Sequence, residues 1–258
     1  MAFDGDRDGR EPQRGEPDIA VVAALVADAS RARILLALDD GRALPASRLA
    51  AEAGISPATA SSHLRKLTHA RLIAVEANGR YRYYRLAGPA VADMIESLQR
   101  LAPTRPIRSL REGRHAEALR EARTCYDHIA GKLGVSIMGS MLDRGYLSGG
   151  DGRFEPANAR RDAHTGFGLD LTYELTPAGG AFLDNLGVLL PPRRQSVRYC
   201  IDWSEQRHHL AGGIGRGLLD RLIELAWIER AEHSRALHVS AKGRTGLRRA
   251  FDLELPNS

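Results

Sequence analysis

The chain has 258 residues, of which 43% are hydrophobic and 27% are charged, and it carries a formal net charge of +5. This length suits two or three compact units, and the mild basic excess favours polyanionic partners. No apolar run approaches the roughly 20 residues of a membrane span, no signal peptide opens the chain, and two cysteines do not make a disulfide framework, so the sequence indicates a cytoplasmic protein without a membrane partner.

The chain opens with a polar segment and continues with helical patterns. Residues 1–17 are rich in acids, Arg, Gly and Pro, and we expect a disordered tail there. An apolar pattern of helical spacing follows at 19–41. A shorter helical pattern then ends at Gly54. Ser56 is suited to cap the next helix, with Pro57 at its favoured first position.

The next helix and a hairpin complete the first predicted domain. The helix "PATASSHLRKLTHARLI" buries Ala60, Leu64 and Leu67 and leaves polar side chains on its other sides. The sequence "AVEANGRYRYYRL" alternates as strands do, around the hairpin signal Asn78-Gly79. This order predicts a winged helix-turn-helix domain over residues 18–101, in a fold that is mainly α with small β wings.

The residue types on this domain suit DNA. Short hydroxyl and imidazole side chains near the start of a helix can approach base edges in the major groove. Six Arg or Lys residues and one acid lie between Ser56 and Leu86, a balance that suits contacts with phosphates. A basic face that binds protein is the alternative. The predicted DNA-binding residues are Ser56, Thr59, Ser61, Ser62, His63, Arg65, Lys66, Arg80, Tyr81 and Arg82.

The stretch "ISPATASSHLRKLTHARLIAVEANGRYRYYRL" resembles the ArsR/SmtB family of bacterial winged-helix repressors, and the resemblance covers roughly residues 20–100. It implies a homodimer built from the helices "IAVVAALVADA" and "AVADMIESLQRLA", and operator binding that an effector relieves. By this resemblance the base-reading residues are Thr59, Ser61, Ser62 and His63, and Arg80 and Arg82 lie along the DNA backbone. The usual metal ligands of the family are missing: "SRLAAEAG" has no cysteine and "AVADMIESLQRLA" no histidine. The resemblance therefore does not imply metal sensing.

The second half repeats a phrase: "HIAGKLG" stands at 128–134 and "HLAGGIG" at 209–215. Each phrase matches the helix-turn corner of the first domain, and each is followed later by Thr or Ser, Gly and Leu at equal intervals. We therefore predict two degenerate winged-helix-like repeats, at 115–190 and 191–258, after a Pro/Arg linker at 102–114. Their second helices are short or nearly neutral, which favours a sensing role over DNA reading.

Both cysteines fall at the same point of the repeat, each in a Cys-x-Asp sequence. Duplicated units commonly meet about a local two-fold axis, so we predict that the repeats pair and that their Cys-x-Asp ends form an effector site. The predicted site residues are Cys125, Asp127, His128, Cys200, Asp202, Trp203, His208 and His209.

Four interpretations of this site stay open. Each cysteine can be a small buried hydrophobe. The thiols can sense oxidants or electrophiles if a histidine activates them. Two Cys and two His also suit a thiophilic metal such as Zn²⁺. The fourth interpretation is a small organic ligand lined by Tyr126, Tyr146, Trp203 and Trp227.

An enzyme is the rival class. Ser204 and its neighbouring histidines resemble a nucleophile and base, but no strand-turn-helix elbow surrounds Ser204, and no phosphate loop or metalloprotease motif occurs. We therefore expect no enzyme. The sequence predicts an effector-relieved, homodimeric repressor of the bacterial cytoplasm. A nucleoid-type DNA-binding protein without an effector is the alternative. The sequence identifies no cofactor, and we expect none to be required for folding.

Overall fold

The computed structural model of the chain describes residues 16–79, 81–154, 165–166, 171–190, 196–232 and 234–255. Most of the predicted tail at 1–17, and Arg80 of the predicted DNA contacts, lie outside these ranges. Among the described residues, no helix has both the length and the apolar character that crossing a bilayer requires.

The first unit is a winged helix-turn-helix, as predicted. Its elements are α1 (Ile19–Val26), α2 (Ala29–Leu38), β1 (Leu44–Pro45), α3 (Ala46–Ala53), α4 (Pro57–His69), β2 (Ile73–Asn78), β3 (Tyr81–Leu86) and α5 (Pro89–Leu101). The antiparallel sheet has the order β1-β3-β2. Helix α3 ends at Gly54, whose φ of 67° lies in the left-handed region that glycine tolerates. Ser56 then caps α4, because its side chain accepts a hydrogen bond from the Thr59 amide.

The second half contains hairpins and helices in an order that occurs twice: hairpin, helix, a pair of antiparallel strands, helix. In the first occurrence one further strand lies between the two paired strands. The elements are α6 (Leu110–Glu121), β4 (Arg123–Cys125), β5 (His128–Ala130), α7 (Gly131–Asp143), β6 (Leu147–Ser148), β7 (Thr165–Gly166), β8 (Tyr173–Leu175), α8 (Pro177–Leu186), β9 (Ser196–Val197), β10 (Tyr199–Ile201), β11 (His208–Leu210), α9 (Gly212–Glu224), β12 (Ile228–Arg230), β13 (Leu237–Val239) and α10 (Ala241–Phe251). Because α6 begins at Leu110, the predicted linker at 102–114 is too long and ends at residue 109.

The repeated phrase is not a helix-turn corner, so that prediction is wrong. In both copies the phrase is a short strand, β5 or β11, that leads directly into a helix, α7 or α9. Gly54 ends a helix, whereas Gly134, its counterpart in the sequence match, lies inside α7. A Cβ on Gly134 would lie 2.3 Å from the Ile129 carbonyl oxygen. This glycine is therefore used for close approach.

The predicted boundary at residue 191 does not separate two domains. Strand β9 joins β6 and β8 in one sheet, and β7 pairs with β10 across the boundary. One hydrophobic core runs from Ala122 to Phe251 and includes buried side chains of α7, α9 and α10. The second half is therefore one packed unit, and the winged-helix character of its parts stays a prediction.

The equal spacing of Thr or Ser, Gly and Leu has one structural role in both places. Thr176 caps α8 by accepting from the Gly179 amide at 3.0 Å, and Ser240 caps α10 by accepting from the Gly243 amide at 2.9 Å. The leucines that follow, in α8 and α10, are fully buried. In both places this spacing marks a junction between a strand and a helix that a hydroxyl side chain caps.

Candidate functional site

Helix α4 presents one polar face to solvent. Its inner face is fixed by Ala60, Leu64 and Leu67, all of which are buried in the core of the first unit. The opposite side therefore points outward, as in any helix with one apolar stripe. Of the predicted contacts on α4 and its cap, the exposed ones are Ser56, Thr59, Ser61, Arg65 and Lys66, while Ser62 is half-buried.

A groove of about 560 Å³ lies between α4 and the β2-β3 hairpin. Its lining residues are Ser61, Arg65, Thr68, His69, Val75, Arg82 and Tyr84. Thr68 and His69 were missed by the sequence reasoning. The spacing of Ser61, Arg65 and His69, four residues apart each time, could have revealed that His69 shares their face.

The hairpin carries the predicted aromatic and basic side chains at its exposed end. Tyr81 is 60% exposed and Arg82 is also exposed. Glu76, the acid of this surface, accepts a hydrogen bond from Arg85 Nε at 2.5 Å. Its negative charge is therefore compensated locally.

His63 has different surroundings from the other predicted base-reading residues. Its Nδ1 lies 3.4 Å from an Arg31 nitrogen, and its Nε2 lies 3.9 Å from an Asp28 carboxylate oxygen. Only 13% of the His63 side chain is exposed, and Asp28 caps α2. The structure thus places His63 against the start of α2, and its contact with bases stays a prediction.

The second half brings both cysteines to one buried seam. In the β4-β5 hairpin Cys125 pairs with His128, and in the β10-β11 hairpin Cys200 pairs with His209. Each of these four residues is at most 5% exposed, and their thiol sulfur and imidazole nitrogen atoms lie within 4.8 Å of one another. We call these four residues the Cys-His cluster.

Glycines in two helices allow the hairpins to meet. Helix α7 packs on β11 and α9 packs on β5, so each helix covers the hairpin of the other copy. An added Cβ would lie 3.5 Å from the His209 Cβ at Gly134 and 2.9 Å from the His128 Cβ at Gly215. These distances leave little space for a side chain at either position. The two glycines therefore help to set the position of the histidines.

The Cys-His cluster contains polar atoms without protein partners. Within the described part of the chain, Nε2 of His128 and both ring nitrogens of His209 have no hydrogen-bond partner. A hydrogen bond with Cys200, together with burial, raises the pKa of the Cys125 thiol well above its usual value. Burial and the neighbouring His128 lower the pKa of His209 well below its usual value. At neutral pH the seam therefore holds Cys125 as a thiol and His209 as a neutral imidazole.

Asp202 stands behind the Cys-His cluster in a buried ion pair. One of its oxygens accepts hydrogen bonds from Arg123 at 2.9 Å and from the Gly131 amide at 2.7 Å. Burial would raise the pKa of Asp202, but the Arg123 charge together with the hydrogen bonds from the Gly131 amide and the Ser204 hydroxyl outweighs burial, so the pKa lies below its usual value. Trp203 lies under the Arg123 guanidinium, 4.5 Å from it. These residues hold the two hairpins together from behind.

Two of the predicted effector residues lie at the margin of the seam or away from it. Asp127 is 31% exposed, and its carboxylate oxygen lies 3.1 Å from His128 Nδ1. His208 points away from the cluster, because its Nδ1 lies 2.7 Å from the Tyr173 hydroxyl. The structure therefore brings the cysteines, His128 and His209 together at the seam, but not His208.

The four aromatic residues of the organic-ligand interpretation do not form one site. Tyr146 stacks on Phe182 in the core of the second half. Tyr126 packs against the core of the first unit, while Trp203 lies beside Arg123. Trp227 packs against the same core as Tyr146. The four aromatics therefore lie in three different surroundings, which contradicts one shared pocket.

Strand β4 connects the Cys-His cluster to the first unit. On one side of Cys125 the Tyr126 amide donates to the Asp39 carbonyl at 3.1 Å; on the other, the Thr124 amide donates to the Arg235 carbonyl at 2.9 Å. Asp39 follows the last residue of α2. Through Tyr126 the cluster is thus one hydrogen bond away from the helix-turn-helix unit.

The Arg235 side chain continues this connection, and the sequence reasoning missed it. Its guanidinium pairs with the Asp39 carboxylate, donates to Gln99 at 2.9 Å, and lies 3.5 Å from Glu96. Asp39 and Glu96 are buried acids. Acids at buried positions of apolar helices indicate a buried cationic partner, and that signal was present just after α2 and within α5.

Comparison with known proteins gives the following likenesses. The helix-turn-helix domain family matches residues 26–76. The HTH-type transcriptional regulator YdfF of Bacillus subtilis is 40% identical over 243 residues, which is 93% of this chain and 99% of the relative. Reduced HlyU from Vibrio cholerae is 28% identical and covers 33% of this chain and 90% of its own, with a TM-score of 0.31. The cadmium sensor CmtR from Mycobacterium tuberculosis is 30% identical. The match covers 35% of this chain and 98% of CmtR, with a TM-score of 0.28.

Proposed function

The chain belongs to the ArsR/SmtB family of helix-turn-helix transcriptional regulators, and from this premise we propose that it represses transcription as a homodimer on a pseudo-palindromic operator. The supporting observation is the exposed polar and basic face of α4 beside the groove that Arg82 of the hairpin lines. A helix of this kind reads base edges in the major groove, while basic hairpin side chains contact phosphates. We also propose the bacterial cytoplasm as its location, because a regulator of this kind binds its operator there.

The apolar surface of α1 and α5 supports the dimer. Helix α1 has the sequence IAVVAALV and no buried residue. Ile19 is 80% exposed and Leu101, at the end of α5, is 83% exposed. Exposed apolar side chains that cluster on two helices favour a protein interface. A second copy of the chain would bury them and would place two copies of α4 about one DNA turn apart, roughly 34 Å.

Selection of bound sequences from random duplex DNA, followed by footprinting with the full chain, tests this proposal. We expect one bounded site with two-fold symmetry. Arg65→Ala should weaken binding to it, whereas Arg216→Ala, which alters an exposed arginine of α9, should leave binding unchanged. Diffuse protection without a bounded site would contradict operator binding and favour the nucleoid-type alternative.

We further propose that the second half senses an effector and relieves DNA binding through the junction of β4, Arg235 and Asp39. The contacts on both sides of Cys125 support this route, because a shift of β4 must move a residue bonded to α2. Coupling between two sites is reciprocal. Operator DNA should therefore alter amide hydrogen exchange at 124–126 in the full chain. Unchanged exchange there, with changed exchange in α4, would contradict this route.

A catalytic role is not part of this proposal. The Ser204 hydroxyl donates to Asp202 at 2.7 Å and lies near Arg123. These contacts give Ser204 a structural role in the ion pair behind the seam, which supports regulation over catalysis as the function of the second half.

A further inference from the structure

We propose that Cys125, His128, Cys200 and His209 bind one Zn²⁺-class metal ion that joins the two hairpins of the second half. The proposal names the ligand class of the effector site. It rests on the proposed function only for the consequence of binding, because metal binding can be measured without DNA.

The unpartnered ring nitrogens favour a ligand over simple packing. His209 is fully buried, and neither of its nitrogens has a hydrogen-bond partner among the described residues. A buried polar group without a partner destabilises the folded state. An apolar side chain would avoid that cost, yet two histidines face two cysteines here. A metal ion would satisfy one nitrogen of each histidine.

The distances agree with a tetrahedral site after a small contraction. Metal–sulfur bonds of about 2.3 Å and metal–nitrogen bonds of about 2.0–2.1 Å place tetrahedral ligand atoms roughly 3.3–3.8 Å apart. The four ligand atoms here lie within 4.8 Å of one another. Side-chain rotations that move the outermost atoms by about 1 Å would close the site.

The Cys-x-Asp recurrence also has a physical explanation in a metal site. The Asp127 carboxylate lies 3.1 Å from Nδ1 of His128, and the Asp202 carboxylate lies 3.8 Å from Nδ1 of His209. Metal-bound histidines commonly direct the second ring nitrogen toward a carboxylate, which fixes the tautomer and the ring orientation. In both copies Nε2 is then the nitrogen that faces the metal. Each Cys-x-Asp thus supplies a ligand and the group that orients the neighbouring histidine.

The charge balance and donor types select the class of ion. Two thiolates and two neutral imidazoles around a divalent cation give no net charge, which suits a buried site. Asp202 leaves no excess charge there, because Arg123 pairs with it. Sulfur and nitrogen donors in tetrahedral geometry favour Zn²⁺ and its thiophilic relatives over Mg²⁺ or Ca²⁺.

The test uses the full chain, reduced, freed of metal and titrated with Co²⁺ as a spectroscopic substitute for Zn²⁺. We expect one equivalent to bind, with the visible bands of tetrahedral Co²⁺ and a thiolate-to-cobalt charge-transfer band, and stoichiometric displacement by Zn²⁺. Octahedral bands without charge transfer, or no binding by the reduced chain, would overturn the proposal. Failure of operator binding would leave this result unaffected, so the two proposals fail separately.

Matched variants assign the ligands. Cys200→Ala should abolish the charge-transfer band or reduce it to the intensity that a single thiolate produces. Alanine is a suitable replacement because the neighbours of Cys200 include Ala130 and Ala211. His238→Gln, at an exposed position of β13, should bind Co²⁺ normally. Asp127→Asn should weaken metal affinity about 10–100-fold, as loss of an orienting carboxylate does. Circular dichroism checks that each variant folds. Unchanged spectra in the double variant Cys125→Ala, Cys200→Ala would overturn the assignment.

Discussion

The recognition surface of the first unit and the seam of the second half use similar residue types in opposite ways. On α4, Arg65 and His69 are exposed and line an open groove. At the seam, Arg123 and His209 are fully buried between two hairpins. A polar side chain at the surface costs little in folding and is available to a partner, whereas a buried one must be paired. The two regions therefore predict different outcomes for the same kind of substitution.

The largest effect is expected where a buried charge loses its partner. Asp202→Ala would leave Arg123 fully buried without its carboxylate, and the Gly131 amide without an acceptor. Breaking such a pair costs about 3–5 kcal/mol. Urea unfolding of the full chain measures this loss. Asp220→Ala, which removes an exposed pair with Arg216, is the matched control and should change the free energy of unfolding by less than about 0.5 kcal/mol. Equal effects in both variants would contradict the contrast.

The same ion pair has a defined pH dependence. The pKa of folded Asp202 lies below its usual value, and the unfolded value is about 3.9. A lowered pKa of an acid stabilises the folded state above the unfolded pKa, and this contribution is lost as the pH falls through the folded value. The difference in the free energy of unfolding between the wild type and Asp202→Ala should therefore be constant near neutral pH and shrink below about pH 4.

A second contrast lies within one helix, α7. Gly134→Ala would place a Cβ 2.3 Å from the Ile129 carbonyl oxygen, whereas a Cβ at Gly139 would meet no atom within 4 Å. Overpacking costs about 1–3 kcal/mol, while alanine in an open helix interior stabilises by about 0.5–1 kcal/mol relative to glycine. Unfolding experiments should therefore show opposite signs. An unchanged free energy of unfolding in Gly134→Ala would show that α7 does not require the close approach of Gly134 to Ile129.

These contrasts explain which features of the fold could be predicted from the sequence. The signals of the first unit are local: the Ser56 cap, Pro57 and the hairpin at Gly79 lie within a few residues of what they control, and their predictions are confirmed. The same reading was wrong at Gly134, because a glycine that ends a helix and one that permits a close approach look alike in a sequence. Only the fold distinguishes them.

The seam and its surroundings show which contacts between distant residues could be predicted from the sequence and which could not. The repeat placed both cysteines at one seam, because equal positions in two copies meet when the copies pair. The link from Arg235 to Asp39, by contrast, joins residues 196 positions apart. No short-range pattern encodes such a distance. The buried acids indicated a partner but did not identify it.

At the recognition surface, folding and binding should respond separately. Ser62 is half-buried, on the side of α4 opposite the buried Ala60 and Leu64, so Ser62→Ala should change the free energy of unfolding by less than about 0.5 kcal/mol and weaken specific DNA binding by about 1–3 kcal/mol. His63 contacts Arg31 and lies near Asp28, so His63→Ala should reduce stability as well as DNA binding. Paired unfolding and DNA-binding measurements distinguish them. Equal losses of stability would mean that both side chains are structural.

The smallest effect should belong to Arg82, and it should appear in the salt dependence of binding. Arg82 is exposed on the hairpin and lines the groove beside α4. A phosphate contact contributes to binding of every sequence, and its loss reduces the slope of log affinity against log salt by about one. Arg82→Ala should therefore fold normally, weaken operator and random DNA alike, and flatten the salt dependence. Arg216→Ala, on the nearly neutral α9, should leave the slope unchanged. If Arg82→Ala instead weakened the operator alone at an unchanged slope, Arg82 would be a base contact, and the hairpin would share sequence reading with α4.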